Sequence, residues 1–85
     1  MSAKVTVYTT SNCPYCDAAK RLLDKGGVPY EEIVLARDQE GRERVRELTG
    51  NVSFPQIVIG GEPIGGYAEL RALRQSGQLA VKLNG

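Results

Sequence analysis

The segment Cys13-Pro14-Tyr15-Cys16 constrains this 85-residue chain more than any other, because it holds both of its cysteines. A disulfide between them would close a loop of only four residues. Chain entropy assigns so small a loop about 2 kcal/mol, less than a bridge between distant segments contributes. The pair is poorly placed as a staple and well placed for chemistry. It follows an apolar run with Val5 and Val7 and precedes a helical pattern. The thiolate, not the thiol, attacks disulfides, and an ordinary cysteine with a pKa of about 8.5 is mostly thiol at neutral pH. A helix start favours the negative charge through its free N–H groups and macrodipole. Pro14 suits the first helical position, where a missing N–H costs nothing. Cys13 then falls at the N-cap or first turn, and Cys16 lies over the same turn, in reach of the Cys13 sulfur as a hydrogen-bond donor. Cys13 is the expected nucleophile and Cys16 the expected resolving thiol.

Other uses of two cysteines fit the rest of the chain less well. Zinc takes four ligands, and there is no further cysteine and no histidine. A zinc site would need carboxylates or a second chain, so no metal is expected. The lack of histidine also removes the Cys–His pair of a cysteine hydrolase. Position 19, where an arginine could cradle phosphate, is Ala19. Two buried structural cysteines remain the plain alternative to dithiol–disulfide exchange. The length fits one small domain over residues 1–85. Eleven basic residues against ten acidic ones give a net charge of +1, which argues against a general nucleic-acid surface or an anionic-membrane patch. No apolar run approaches the roughly 20 residues that span a bilayer. Residues 1–4 do not read as a signal peptide. The expected location is cytoplasmic, where such a pair is more often catalytic than structural.

Taken in order, residues 4–9 are rich in β-branched side chains and predict a strand. Residues 10–12 form a polar loop that delivers Cys13 to a helix over 14–25, with Cys16, Ala19, Leu22 and Leu23 as its apolar stripe. Either Gly26 or Gly27 can take the left-handed cap. A second strand is expected over 31–35. Asp38 then caps a charged helix that runs to Thr49 and stops at Gly50. On that helix Val45 and Leu48 are the expected buried positions, and Arg42, Glu43, Arg44, Arg46 and Glu47 a solvated face. Residues 56–59 and 62–64 predict strands around a Gly60-Gly61 hairpin turn, with Pro63 favouring a sheet edge. A helix follows over 67–76 with Leu70 and Leu73 on one face; Gly77 breaks it, and 78–83 add a last turn. The first half is a βαβ unit, which demands parallel strands and a right-handed crossover. The economical fold is α/β: a four-stranded mixed sheet with helices on both faces.

With these elements in place, the chain resembles a dithiol glutaredoxin of the Cys-Pro-Tyr-Cys class, within the thioredoxin-like superfamily. The resemblance rests on the 13–16 tetrad after a strand, Phe54-Pro55 before the third strand, and Gly65-Gly66 before the last long helix. It implies several roles. Pro55 would be cis and face the thiols, supporting the site with Pro14 and Tyr15. The Phe54 backbone would pair with the cysteinyl part of glutathione, Tyr15 would lie along the glutathione groove, and Gly66 would present a helix start to the γ-glutamyl carboxylate, in keeping with anion binding at such termini. By position, Thr10, Ser53, Tyr67, Ala68 and Glu69 complete the implied glutathione contacts. The chain departs from the family pattern in Thr10 where lysine is common, in Val52 where a basic residue is common, and in Ala68-Glu69 for a small polar–Asp pair. Two missing charge-assisted contacts are worth roughly 1.5–3 kcal/mol each when well formed; Arg37 or Arg42 are candidates to replace them.

The resemblance implies a monomeric glutathione-dependent oxidoreductase. It would act on protein disulfides and glutathione mixed disulfides, with glutathione as co-substrate and no permanently bound cofactor. A second expectation keeps the chemistry but makes the chain an electron donor to ribonucleotide reductase, itself reduced by thioredoxin reductase. A third is a [2Fe–2S] module holding its cluster between two subunits through Cys13 and glutathione thiolates; Pro14 disfavours it.

Overall fold

The computed structural model describes residues 3–84. Its elements are β1 (Val5–Thr9), α1 (Pro14–Lys25), β2 (Glu31–Val34), α2 (Gln39–Thr49), β3 (Gln56–Ile59), β4 (Glu62–Gly65), α3 (Tyr67–Ser76) and α4 (Gln78–Asn84). The strands form one sheet in the order β2-β1-β3-β4. β1 runs parallel to β2 and antiparallel to β3, and β4 closes the far edge against β3. This is the expected mixed sheet, with the proline-bearing strand at an edge.

Side-chain alternation decides what each face of the sheet holds. Val5 lies opposite Ile59 and Val7 opposite Ile57, so these four share one face. Ala19, Leu22 and Leu23 of α1 meet them there, with Leu70 of α3 and Leu79 of α4. Each large apolar side chain buried in this way contributes about 1.5–3 kcal/mol. Tyr8 and Gln56 point to the other face. That face is covered by α2, whose following residue Asn51 reaches the Gln56 side chain.

Local caps set the helix limits. Asp38 Oδ1 accepts from the Gly41 N–H at 2.8 Å, and Gly50 ends α2 in the left-handed region at φ 84°. Two details differ from expectation. On α2 the buried stripe is Gly41, Val45 and Thr49, while Leu48 is only half-buried. Gly41 sits so close to the preceding loop that a Cβ would overlap the Ala36 carbonyl oxygen; hydropathy gives no sign of such an approach. β2 ends one residue early, at Val34, although the Leu35 N–H still donates to the Thr9 carbonyl at 2.8 Å. Gly60 and Gly61 both take positive φ (57° and 84°), as a tight hairpin requires. Among the described residues no helix is long and apolar enough to cross a membrane.

Candidate active site

β1 carries the chain to one end of the sheet, and the polar loop turns it back toward α1. The turn is made at Asn12, whose φ of 52° is one that asparagine tolerates better than most residues. Cys13 follows as the N-cap, with extended torsions (φ −124°, ψ 96°), and Pro14 takes the first helical position. The Cys13 sulfur accepts a hydrogen bond from the Cys16 backbone N–H at 3.2 Å. That amide, not the Cys16 thiol, is the donor the helix start supplies. The two sulfurs are joined in a disulfide, with the Cα atoms 5.2 Å apart. They are not equivalent: Cys16 is 1% exposed beneath the helix, whereas Cys13 is partly open to solvent. Only one of them is reachable by a macromolecular disulfide.

The other expected site segments converge on this helix start. Tyr15 is 66% exposed, and its ring lies 6.1 Å from that of Tyr67, the first residue of α3. Phe54-Pro55 is a cis peptide with Pro55 buried and Phe54 half-buried. Gly66 comes so near that a Cβ there would stand 3.4 Å from the Pro55 carbonyl oxygen. Ser53 is exposed and its Oγ accepts from Gln56 Nε2 at 3.1 Å. Tyr67 and the exposed Ala68 line an open groove of about 500 Å³ beside Tyr15.

At the start of α3 the backbone N–H groups of the first turn have no intrahelical acceptor. One nearby donor is already engaged, because Glu69 folds back and its Oε1 accepts from the Gly66 N–H at 2.7 Å. Thr10 is buried, and its Oγ1 is without a partner among the described residues.

Arg37 has a role the sequence did not disclose. Its Nη2 donates to the carbonyls of Ser11 (2.8 Å) and Asn12 (3.0 Å), so a guanidinium from the β2–α2 connection braces the loop that delivers Cys13. Arg42 instead lies on α2 beside Val52. Behind the site, Glu32 accepts from Thr9 Oγ1 at 2.7 Å and from Lys20 Nζ at 3.0 Å. These bonds hold the Glu32 carboxyl below its ordinary range, Thr9 contributing most, and the bond to Glu32 raises Lys20. Among the described residues no cluster of three potential metal-ligating side chains is present.

Comparison with known proteins bears on this arrangement. The glutaredoxin family model matches residues 5–64. A glutaredoxin of Pseudomonas aeruginosa is 40% identical over 80 residues, spanning 94% of this chain and 95% of the relative. Glutaredoxin 3 of Escherichia coli is 39% identical over 77 residues, spanning 91% and 93%. A buckwheat glutaredoxin–glutathione complex matches with a TM-score of 0.84 at 28% identity, over 96% of this chain and 77% of that one. The solution structure of glutaredoxin from Brucella melitensis matches with a TM-score of 0.82 at 39% identity, over 96% and 89%. With its mixed sheet and paired cysteines at a helix start, the chain has the thioredoxin-like fold and belongs to the glutaredoxin family of thiol–disulfide oxidoreductases.

Proposed function

We propose that the protein reduces protein disulfides and glutathione mixed disulfides through Cys13 and Cys16, with glutathione as the electron source. The observation that carries this is the asymmetry of the pair: a partly open Cys13 sulfur at a helix N-cap, held by the Cys16 N–H, above a buried Cys16. That setting favours the thiolate at Cys13. On a glutathionylated protein the Cys13 thiolate attacks the glutathionyl sulfur. A Cys13–glutathione disulfide forms, and the protein thiolate leaves and takes a proton from water. A glutathione thiolate then attacks that disulfide, releasing glutathione disulfide and restoring Cys13. On a protein disulfide, Cys13 forms a mixed disulfide that Cys16 attacks; the reduced substrate leaves, and two glutathione molecules reduce the Cys13–Cys16 bond.

Glutathione fits the surroundings as a peptide with two carboxylates. The first turn of α3 offers N–H groups to one, the Phe54 backbone lies beside the cis-proline, and Tyr15 with Tyr67 and Ala68 forms a wall. Arg71 lines the same groove and Arg37 braces the Cys13 loop, so these are the candidate cations for the other carboxylate. The similarity to a glutaredoxin crystallised with glutathione supports the same partner.

Turnover of a small mixed disulfide, coupled to glutathione and glutathione reductase, tests this. Cys13→Ser should abolish activity, while Cys16→Ser should retain deglutathionylation and lose dithiol reduction. Full activity of Cys13→Ser would overturn the assignment. A second electron source remains attractive because Thr10 is buried and Glu69 already occupies a donor at the start of α3. Coupling to thioredoxin reductase, with no turnover on glutathione, would favour the ribonucleotide reductase donor instead.

A further inference from the structure

A second groove runs between α1 and α3, and its charge is one-sided. It measures about 540 Å³ and is lined by Arg21 and Lys25 from α1 and by Tyr67, Arg71 and Arg74 from α3, with Leu22 at its floor. No acidic side chain lines it. Four of the chain's eleven basic residues therefore meet along one cleft of a molecule whose net charge is only +1. Helical spacing explains why: Arg21 and Lys25 are four apart, Arg71 and Arg74 three apart, and each pair falls on one helix face.

None of the four enters an ion pair among the described residues, where the paired cations are Lys4, Lys20, Arg44 and Lys82. The acidic residues on the same helices are turned elsewhere. Asp17 lies 3.8 Å from Lys20, Asp24 is near enough to Tyr30 to help raise its pKa, after burial, and Glu69 folds onto the Gly66 N–H. Holding four like charges along one cleft disfavours the folded state, so an anionic occupant would relieve the repulsion. The cleft is also continuous with the groove beside Tyr15, the residue that precedes Cys16: Tyr67, Arg71 and Gln75 line both.

We infer that this basic α1–α3 groove docks an acidic segment next to the disulfide of a protein substrate, which makes the enzyme selective for targets with Asp- or Glu-rich flanks. The inference rests on the dithiol activity proposed above. A polypeptide is favoured over a nucleic acid because the groove leads to Tyr15, within the cysteine tetrad, and a polypeptide brings a disulfide with it. Charges arranged this way act on the encounter rate and on partner choice.

The test uses two disulfide-containing peptides of equal length, one flanked by Asp and Glu, the other by Asn and Gln. They are assayed with the wild-type protein and with the triple variant Arg21→Gln/Lys25→Gln/Arg74→Gln, whose positions lie outside the cysteine and glutathione contacts. The wild type should show kcat/KM about fivefold to tenfold higher for the acidic peptide at low ionic strength. The preference should fall below about twofold in the variant and in roughly 0.5 M salt. Both proteins should reduce bis(2-hydroxyethyl) disulfide equally. Equal rates on the two peptides by the wild type, or an undiminished preference in the variant, would overturn the docking site. If the wild type fails on the small disulfide too, the redox assignment is what has failed. Fluorescence anisotropy of a labelled acidic peptide with its cysteines changed to serine still reads the groove directly: tighter binding to wild type than to variant supports it, and equal binding overturns it. A single-stranded oligonucleotide that displaces this peptide at equal charge concentration would reassign the groove to nucleic acid.

Discussion

At Gly65 the backbone takes φ 118°, and a Cβ would stand 2.7 Å from Glu69 Oε1 and 2.9 Å from Glu69 Cγ. The residue leaves room for the carboxylate that folds back onto the Gly66 N–H. Gly65→Ala should therefore add a displaced Glu69 to the cost of a left-handed alanine. Gly50 provides the comparison, since at φ 84° its Cβ would meet nothing within 4 Å. Denaturant unfolding should show Gly50→Ala losing about 1 kcal/mol from backbone conformation alone and Gly65→Ala about 2–3 kcal/mol. Equal losses would mean that the Glu69 contact contributes nothing. The position of the glycine pair before a helix is legible in the sequence; the folding back of Glu69 is not, because it depends on side-chain torsions. Cys13 was more legible, since an N-cap followed by proline is written into adjacent residues.

Among the elements, α2 shows best where local rules stop. Its N-cap at Asp38 and its left-handed end at Gly50 could both be read from residue type. Its buried face could not, because Gly41 carries no side chain for periodicity to register. An alanine in a helix normally improves on glycine by about 1 kcal/mol. Gly41→Ala should do the reverse, since the new Cβ would overlap the Ala36 carbonyl oxygen and reach the carbonyl carbon at 2.8 Å, and backbone atoms cannot swing aside. The expected loss is about 2–3 kcal/mol, from a helix forced off its loop. Chemical unfolding monitored by far-ultraviolet circular dichroism would reveal it, and a stabilised variant would show that α2 docks differently.

For the whole molecule, the Thr9–Glu32–Lys20 cluster ties β1, β2 and α1 together next to the site. The Glu32 carboxyl is lowered from its ordinary 4.5, by Thr9 first and Lys20 second, so its contribution is present above that value and lost as pH falls through the lowered one. Lys20 is raised from 10.5, chiefly by its bond to Glu32, so its contribution is present below 10.5 and lost as pH rises through the raised value. Both side chains retain about 30% exposure, so water screens the pair and the contribution stays near or below about 1 kcal/mol. Glu32→Gln should lower the unfolding midpoint at neutral pH and converge on wild type in acid; an unchanged gap at about pH 3 would refute the linkage. The elements, most of their limits and the cysteine pair at a helix start were determined by the sequence alone, because periodicity, caps and turn residues act within about one or two turns of chain. Tertiary structure alone decided which loops meet: Tyr15 with Tyr67, Pro55 with Gly66, Arg37 with the Cys13 loop, and four cations along the α1–α3 cleft. Such contacts depend on strand order and crossover geometry, which arise only when segments far apart in the chain pack on a common sheet.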